Sequence, residues 1–110
     1  MGRMAENISA FYLRAKLFSI IEKNFRTPVG EIDIIACRAD LLIFTEVKMR
    51  SSKQGMAGAM EMVNRERIIG AAKYYLARNP QMADKTLRFD VIFLAPFALP
   101  LHLRGVFEAG

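Results

Sequence analysis

The sequence has one cysteine and one histidine. A lone Cys37 cannot close an internal disulfide, which fits a reducing, cytoplasmic setting. One Cys and His102 also leave no Cys/His zinc site. No apolar run is long enough to span a bilayer. The longest apolar region, residues 91–101, is broken by Pro96 and Pro100, and it falls short of a transmembrane helix. Residues 1–10 lack the uninterrupted apolar core of a signal peptide. A membrane is therefore not an expected partner. There is no internal repeat and no low-complexity linker. Acidic residues are the scarcer charge: 11 Asp and Glu stand against 16 Lys and Arg, for a net charge of +5 and a pI of about 9.7. Such a balance favours anionic partners, nucleic acid first among them.

What remains is the composition of a folded globule. The 110 residues are 53% hydrophobic and 25% charged, which predicts one domain spanning residues 1–110. Residues 4–17 carry a helical apolar stripe at Met4, Ile8, Phe11 and Ala15, with a second at Ala10, Leu13 and Leu17, so this helix is expected to be covered on two sides. Residues 18–25 read as a strand, followed by a Thr27-Pro28-Val29-Gly30 turn. Residues 31–37 and 41–48 are β-branched strands separated by Ala39-Asp40, the pattern of an antiparallel hairpin. A polar, glycine-containing loop at 49–58 leads to a helix predicted over 59–78. In it Met62, Ile69, Ala72 and Leu76 share a side, and Glu61 stands four residues before Arg65. Asn79-Pro80 ends that helix. Residues 87–94 form another strand and 101–107 a short edge strand. The order predicts an α/β fold, a mixed central β-sheet flanked by helices.

Two strands interrupt their apolar runs with charge. Asp33 lies between Ile32 and Ile34; Glu46 and Lys48 flank Val47. Strand side chains alternate, so Glu46 and Lys48 point the same way, and Asp33 can reach them from the neighbouring strand. Charge beside a core is costly unless it is paired or bound to metal. Two strand carboxylates can hold Mg²⁺ or Mn²⁺ through oxygen, and a lysine beside them can orient water or stabilise charge developing on phosphate. A buried salt bridge from Lys48 to either carboxylate is the competing explanation. Glu31 could assist or be solvated. Arg50, Lys53, Arg65 and Arg67 are candidates for a phosphate-binding rim, or else solvated charge. Asp90 is expected to pair with an arginine, and His102 to have a structural or surface role rather than a catalytic one.

The string Gly-Glu-Ile-Asp-Ile-Ile (30–35) followed by Leu-Ile-Phe-Thr-Glu-Val-Lys-Met-Arg (42–50) resembles the signature of the YraN-like family of small bacterial proteins. Glu6 with Tyr12-Leu13, Asn24 with Arg26, Ala71-Ala72 with Tyr75-Leu76, Arg88-Phe-Asp-Val91, and His102-Leu103 with Phe107 extend the resemblance over essentially the whole chain. That family is similar to Holliday-junction resolvases and, more broadly, to PD-(D/E)xK nucleases of the restriction-endonuclease-like fold. The resemblance implies that Asp33, Glu46 and Lys48 are the catalytic set. It also implies that Glu6 supplies a further carboxylate from the first helix, and that Asp33, Glu46 and Glu6 are metal ligands. Leu17 departs from the family pattern, which has glycine there. Asn64 stands near a usually basic position, with Arg65 and Arg67 close by. The expected function is a Mg²⁺-dependent endonuclease acting on structured, possibly branched DNA, working as a homodimer if two strands are cut symmetrically. The alternative is a non-catalytic nucleic-acid-binding module in a repair or RNA-processing complex.

Overall fold

The structure, a computed structural model, describes residues 3–50, 63–96 and 98–108. In chain order it contains α1 (Arg3–Ala15), β1 (Ser19–Thr27), β2 (Gly30–Arg38), β3 (Leu41–Met49), α2 (Arg65–Arg78), a short 3₁₀ turn (Pro80–Met82), β4 (Thr86–Leu94) and β5 (Leu101–Phe107). The strands form one mixed sheet in the order β1-β2-β3-β4-β5. β3 and β4 are parallel, joined across the sheet by the segment that carries α2. The other neighbours are antiparallel.

Each face of the sheet carries its own apolar cluster. Ile32, Ile35, Phe44, Phe89 and Phe93 pack beneath Ile68, Ala71, Ala72 and Tyr75 of α2. Ile34, Ala36, Ile43, Val47 and Ile92 pack beneath Ala5, Ala10 and Leu13 of α1. The result is a three-layer α/β/α sandwich, and the continuous apolar runs of β2 to β4 follow from burial on both faces.

Helix α1 corrects the expectation of two covered sides. Met4 and Phe11 are 71% and 73% exposed, and Ile8 lies outside with them. The buried face is Ala5, Glu6, Ser9, Ala10 and Leu13. Small side chains let this helix sit close to the sheet, so the bulky apolar residues do not mark its inner face. Helix α2 begins at Arg65, which corrects the helix predicted from residue 59: residues 63 and 64 lie outside it. Asn64 caps it, its side chain accepting from the Arg67 amide at 3.2 Å, which is how asparagine satisfies an orphan helix donor. The predicted helical residues 59–62, with the Glu61–Arg65 pair and Met62, lie outside the described residues, as does most of the predicted loop.

The end of α1 explains the departure at Leu17. The Phe18 amide bonds the Leu13 carbonyl at 3.0 Å and the Leu17 amide bonds that of Arg14 at 2.9 Å, the paired bonds of a Schellman cap. Phe18 and Leu13 meet in the core cluster. Leu17 therefore sits at the left-handed position, with φ 72°, where a Cβ is strained and glycine is not. Its side chain is 81% exposed and contributes little burial. Leu17→Gly should stabilise the protein by about 1 kcal/mol, a rise of roughly 4 °C in melting temperature, which a thermal melt would register.

Candidate functional site

Asp33 stands where β2 and β3 part. Their ladder runs from Arg38↔Leu41 to Ile34↔Thr45 and stops there. One residue further, the Val47 amide donates to Asp33 Oδ2 at 2.7 Å. The aspartate thus takes the place of a backbone acceptor and wedges the strands open. Its insertion changes the face of the chain: Ile32 belongs to the α2-side cluster and Ile34 to the α1-side cluster. Strict alternation would have put residues two apart on one face.

On β3 the alternation holds. Val47 faces the α1 side, so Glu46 and Lys48 project from the opposite face together. Lys48 Nζ lies 3.9 Å from Glu46 Oε2, with both side chains about one-fifth exposed (22% and 20%). Glu46 also shares a hydrogen bond with the Asp33 carboxylate. Burial, that shared hydrogen bond and the Asp33 charge push the Glu46 carboxyl up from 4.5 to about 8, and the attraction of Lys48 does not offset them. Lys48 thus makes a loose, partly buried ion pair with Glu46, as the competing explanation expects, but its pull on the carboxyl is smaller than the push from burial and Asp33. The arrangement is a carboxylate pair with one lysine beside it, short of the positive charge that would return Glu46 to its ordinary range.

The split opens into a cleft of about 240 Å³ lined by Glu6, Asn24, Arg26, Glu31, Asp33, Glu46 and Lys48 among others. Glu6 enters from the first turns of α1. It is buried and accepts from Asn24 Nδ2 at 3.0 Å. At the rim, Arg26 Nε and Glu31 Oε2 are 3.8 Å apart, both well exposed. The structure therefore brings Glu6, Asp33, Glu46 and Lys48 to one cleft. Among the described residues, no three Asp, Glu, His or Cys side chains close into a finished metal cage. The donor set still fits Mg²⁺ or Mn²⁺, because these ions take one or two carboxylates and fill the rest of their shell with water and phosphate oxygen.

Of the proposed phosphate rim, none of the described members lines the cleft. Arg50 is half-buried and donates to the Met49 carbonyl. The Arg65 guanidinium lies 5.5 Å from the Phe107 ring centroid, Arg67 is exposed on the first turn of α2, and Lys53 lies outside the described residues. The cation at the cleft besides Lys48 is Arg26. Asn24 is the residue that spacing and composition missed as a site member. Its φ of 55° is a left-handed conformation that asparagine tolerates better than most residues, and an Asn amid a strand was the available signal.

Beside the site, Asp90 anchors β4 to β5. It accepts from Arg88 Nε and Nη2 at 2.9 and 2.8 Å and from the Gly105 amide at 3.1 Å, and His102 Nε2 lies 2.7 Å away. Burial alone would raise its carboxyl, but the hydrogen bonds from His102, Arg88 and Gly105 hold it below the ordinary range. The arginine pairing expected for Asp90 and the structural role expected for His102 are both met here.

The family model described as "Uncharacterised protein family UPF0102" matches residues 5–94. The chain belongs to UPF0102. This is the YraN-like family that the double motif resembles. A UPF0102 protein of Bradyrhizobium diazoefficiens is 45% identical over 98% of this chain and 81% of its own length. That of Nitrobacter winogradskyi is 45% identical over 98% and 92%, and one from a Bradyrhizobium strain is 47% identical over 98% and 79%. The matched UPF0102 region contains Glu6, Asp33, Glu46 and Lys48 and ends with β4. Among the described residues, no helix is long and apolar enough to cross a membrane.

The raised carboxyl has a measurable consequence. A folded-state pKa of about 8 against 4.5 means that the fold favours protonated Glu46. Metal-free protein should then lose stability as pH rises from near 4.5 to near 8. The expected fall is on the order of 2 kcal/mol. Urea unfolding at pH 5.5 and pH 8 would measure it. Glu46→Gln, which cannot ionise, should flatten the dependence, and Mn²⁺ should restore stability more at pH 8 than at pH 5.5.

Proposed function

We propose that this protein is a Mg²⁺- or Mn²⁺-dependent endonuclease that hydrolyses phosphodiester bonds in structured, possibly branched DNA. One observation carries the reading. Asp33 and Glu46 are held together in a half-buried cleft at the opening between two strands, with Lys48 3.9 Å from Glu46 and its charge not enough to offset their crowding. Asp33 and Glu46 would hold the ion, with water and phosphate oxygen completing its shell, while Glu6 lines the same cleft. Once bound, the ion supplies a polarised phosphoryl oxygen and a more acidic water.

The protein's own residues do the positioning. The Val47 amide fixes the Asp33 carboxylate, and Asn24 fixes that of Glu6. Lys48 lines the cleft beside Glu46 as an ammonium donor. It would stabilise negative charge that grows on the phosphate during attack. A partner copy would supply the second cut in a symmetric substrate, since one small domain carries one such cleft.

The test has two stages. Mn²⁺ titration followed by paramagnetic broadening of backbone amides should first affect residues around Asp33 and Val47. Cleavage with Mg²⁺ would then be screened over duplex, single-stranded, flap and four-way DNA, and over RNA. No metal binding at these residues would end the nuclease reading. Metal binding without cleavage of any structure would favour the non-catalytic nucleic-acid-binding module, which the basic charge of +5 supports independently.

A further inference from the structure

A second pocket lies at the other end of α1, and its lining is basic. Lys16, Arg38, Arg88 and Arg104 surround it, with Tyr12 and Phe18 as apolar walls. Its volume is about 110 Å³, the scale of one tetrahedral anion with its hydrating water rather than of a base or a cofactor.

The cations are held there without carboxylates of their own. The Arg38 guanidinium lies 4.3 Å from the Phe18 ring centroid and donates from Nη1 to the Lys16 carbonyl at 2.9 Å. Lys16 Nζ lies 5.5 Å from the Tyr12 ring. Among the described residues, no carboxylate lies within ion-pair distance of Lys16, Arg38 or Arg104. Arg88 is the exception, committed to buried Asp90. Like charges gathered in this way repel one another. Aromatic faces and a main-chain carbonyl hold Lys16 and Arg38 in place but do not neutralise them. The pocket therefore has an electrostatic demand for an anion, and fixed arginines match phosphate oxygens well.

Its position relates it to the acidic cleft. Glu6, at the cleft, and Tyr12 and Lys16, at the pocket, belong to the α1 segment and its final turn. At 1.5 Å per residue the two sites are separated by roughly 9–15 Å along the helix. Along β2, Asp33 at the cleft and Arg38 at the pocket are separated by about 17 Å, a span of a few nucleotides on a bound strand.

We propose that the pocket formed by Lys16, Arg38 and Arg104 is a phosphate subsite that holds a nucleic-acid backbone phosphate a few nucleotides from the phosphodiester at the Asp33–Glu46 cleft. The proposal deepens the nuclease reading and rests on it for the identity of the anion. Binding here orients the strand across α1 and requires neither metal nor cleavage.

The test compares two charge reversals of equal size. Lys16→Glu with Arg104→Glu changes two exposed residues at the pocket, leaving Arg38 and the Asp90 network intact. Lys73→Glu with Arg78→Glu changes two exposed residues on α2, across the sheet. The probe is a fluorescein-labelled DNA duplex, its affinity followed by anisotropy as salt is raised, without divalent metal. The pocket pair should weaken binding at least about tenfold at low salt and lower the salt slope by about one, for the one phosphate that the protein no longer neutralises. The α2 pair should stay within about threefold of the unmodified protein, and thermal melts should show both pairs folded. Equal losses from the two pairs would mean that net charge alone matters and would overturn the proposal. So would unchanged binding by the pocket pair, or an unmodified protein that binds no duplex at low salt. Mn²⁺ broadening at Asp33 in the same variants separates the two readings. A pocket effect with no cleavage by metal-bound protein would retain the subsite and remove the nuclease.

Discussion

Lys48→Ala should reduce Mg²⁺-dependent cleavage by about 10²–10³-fold in kcat, while Mn²⁺ affinity and DNA affinity stay within about threefold. The separation follows from where the ammonium stands. At 3.9 Å from Glu46 it makes a loose ion pair longer than a hydrogen bond, so its removal costs the ground state less than the loss of a metal ligand. The charge it serves grows on phosphate only during attack, and an interaction of that kind appears in kcat rather than in binding. Asp33→Asn should behave differently. It keeps a carbonyl oxygen to accept from the Val47 amide but loses the anionic ligand, so metal affinity and cleavage should fall together. Measuring Mn²⁺ binding, duplex binding and single-turnover cleavage on both variants distinguishes a transition-state group from a metal ligand. If Lys48→Ala weakens metal binding as much as Asp33→Asn does, the lysine is a structural partner of the carboxylates and the assigned role fails.

Much of the architecture is legible in the sequence because two periodicities dominate the chain. The apolar runs of β2, β3 and β4 announce strands buried on both faces, and the two-residue Ala39-Asp40 turn announces their hairpin. The Glu46-x-Lys48 spacing correctly implies a shared face, since β3 is regular through Val47. What the pattern does not give is the break at Asp33. A wedge between strands is a tertiary event, created by one carboxylate accepting a backbone amide, and in sequence it looks like any charged residue in a strand. Alternation from Ile32 to Ile34 therefore misplaces one of the two, although it brings Asp33 to the right cleft.

Helix α1 defies its apolar pattern for a related reason. Apolar bulk at Met4, Ile8 and Phe11 draws the expected stripe, yet close contact with a flat sheet selects Ala5, Ser9 and Ala10. Residues from loops and helix ends are the least legible. Arg50, Arg65 and Arg67 are near Lys48 in sequence or on the next helix, but proximity in the chain does not set direction. The basic pocket is illegible altogether, because Lys16, Arg38 and Arg104 come from three separate segments that only the folded sheet and α1 bring together. Leu17, by contrast, stands out in the sequence as a departure. Its left-handed φ shows the physical reason that glycine suits that position.

Gly30→Ala should cost about 3 kcal/mol or more, with a fall in melting temperature of at least about 12 °C. Gly30 begins β2 directly after the Thr27 turn, whose hydroxyl accepts from the Val29 and Gly30 amides and donates to the Gly30 carbonyl. The turn is thus locked from its own side. From the other side α2 lies against it: a Cβ on Gly30 would stand 1.8 Å from the Arg67 carbonyl oxygen and 2.6 Å from its carbon. These are backbone atoms in the first turn of a helix, so no side-chain rotation relieves the overlap. The helix must lift or the turn must break. Lifting α2 withdraws Ile68, Ala71, Ala72 and Tyr75 from the sheet, and breaking the turn moves Glu31 and Asp33. Gly70→Ala is the internal comparison. Its Cβ would meet the Val29 carbonyl at 3.2 Å, in an exposed turn residue that can yield by a few tenths of an ångström. Alanine also gains about 1 kcal/mol over glycine within a helix, so that variant should melt within a few degrees of the unmodified protein. The glycine of the Gly-Glu-Ile-Asp motif is then a packing requirement that sets the distance between α2 and the strand carrying Asp33. Any Gly30→Ala protein that does fold at low temperature should bind Mn²⁺ more weakly, because the carboxylate it displaces is the one that opens the cleft.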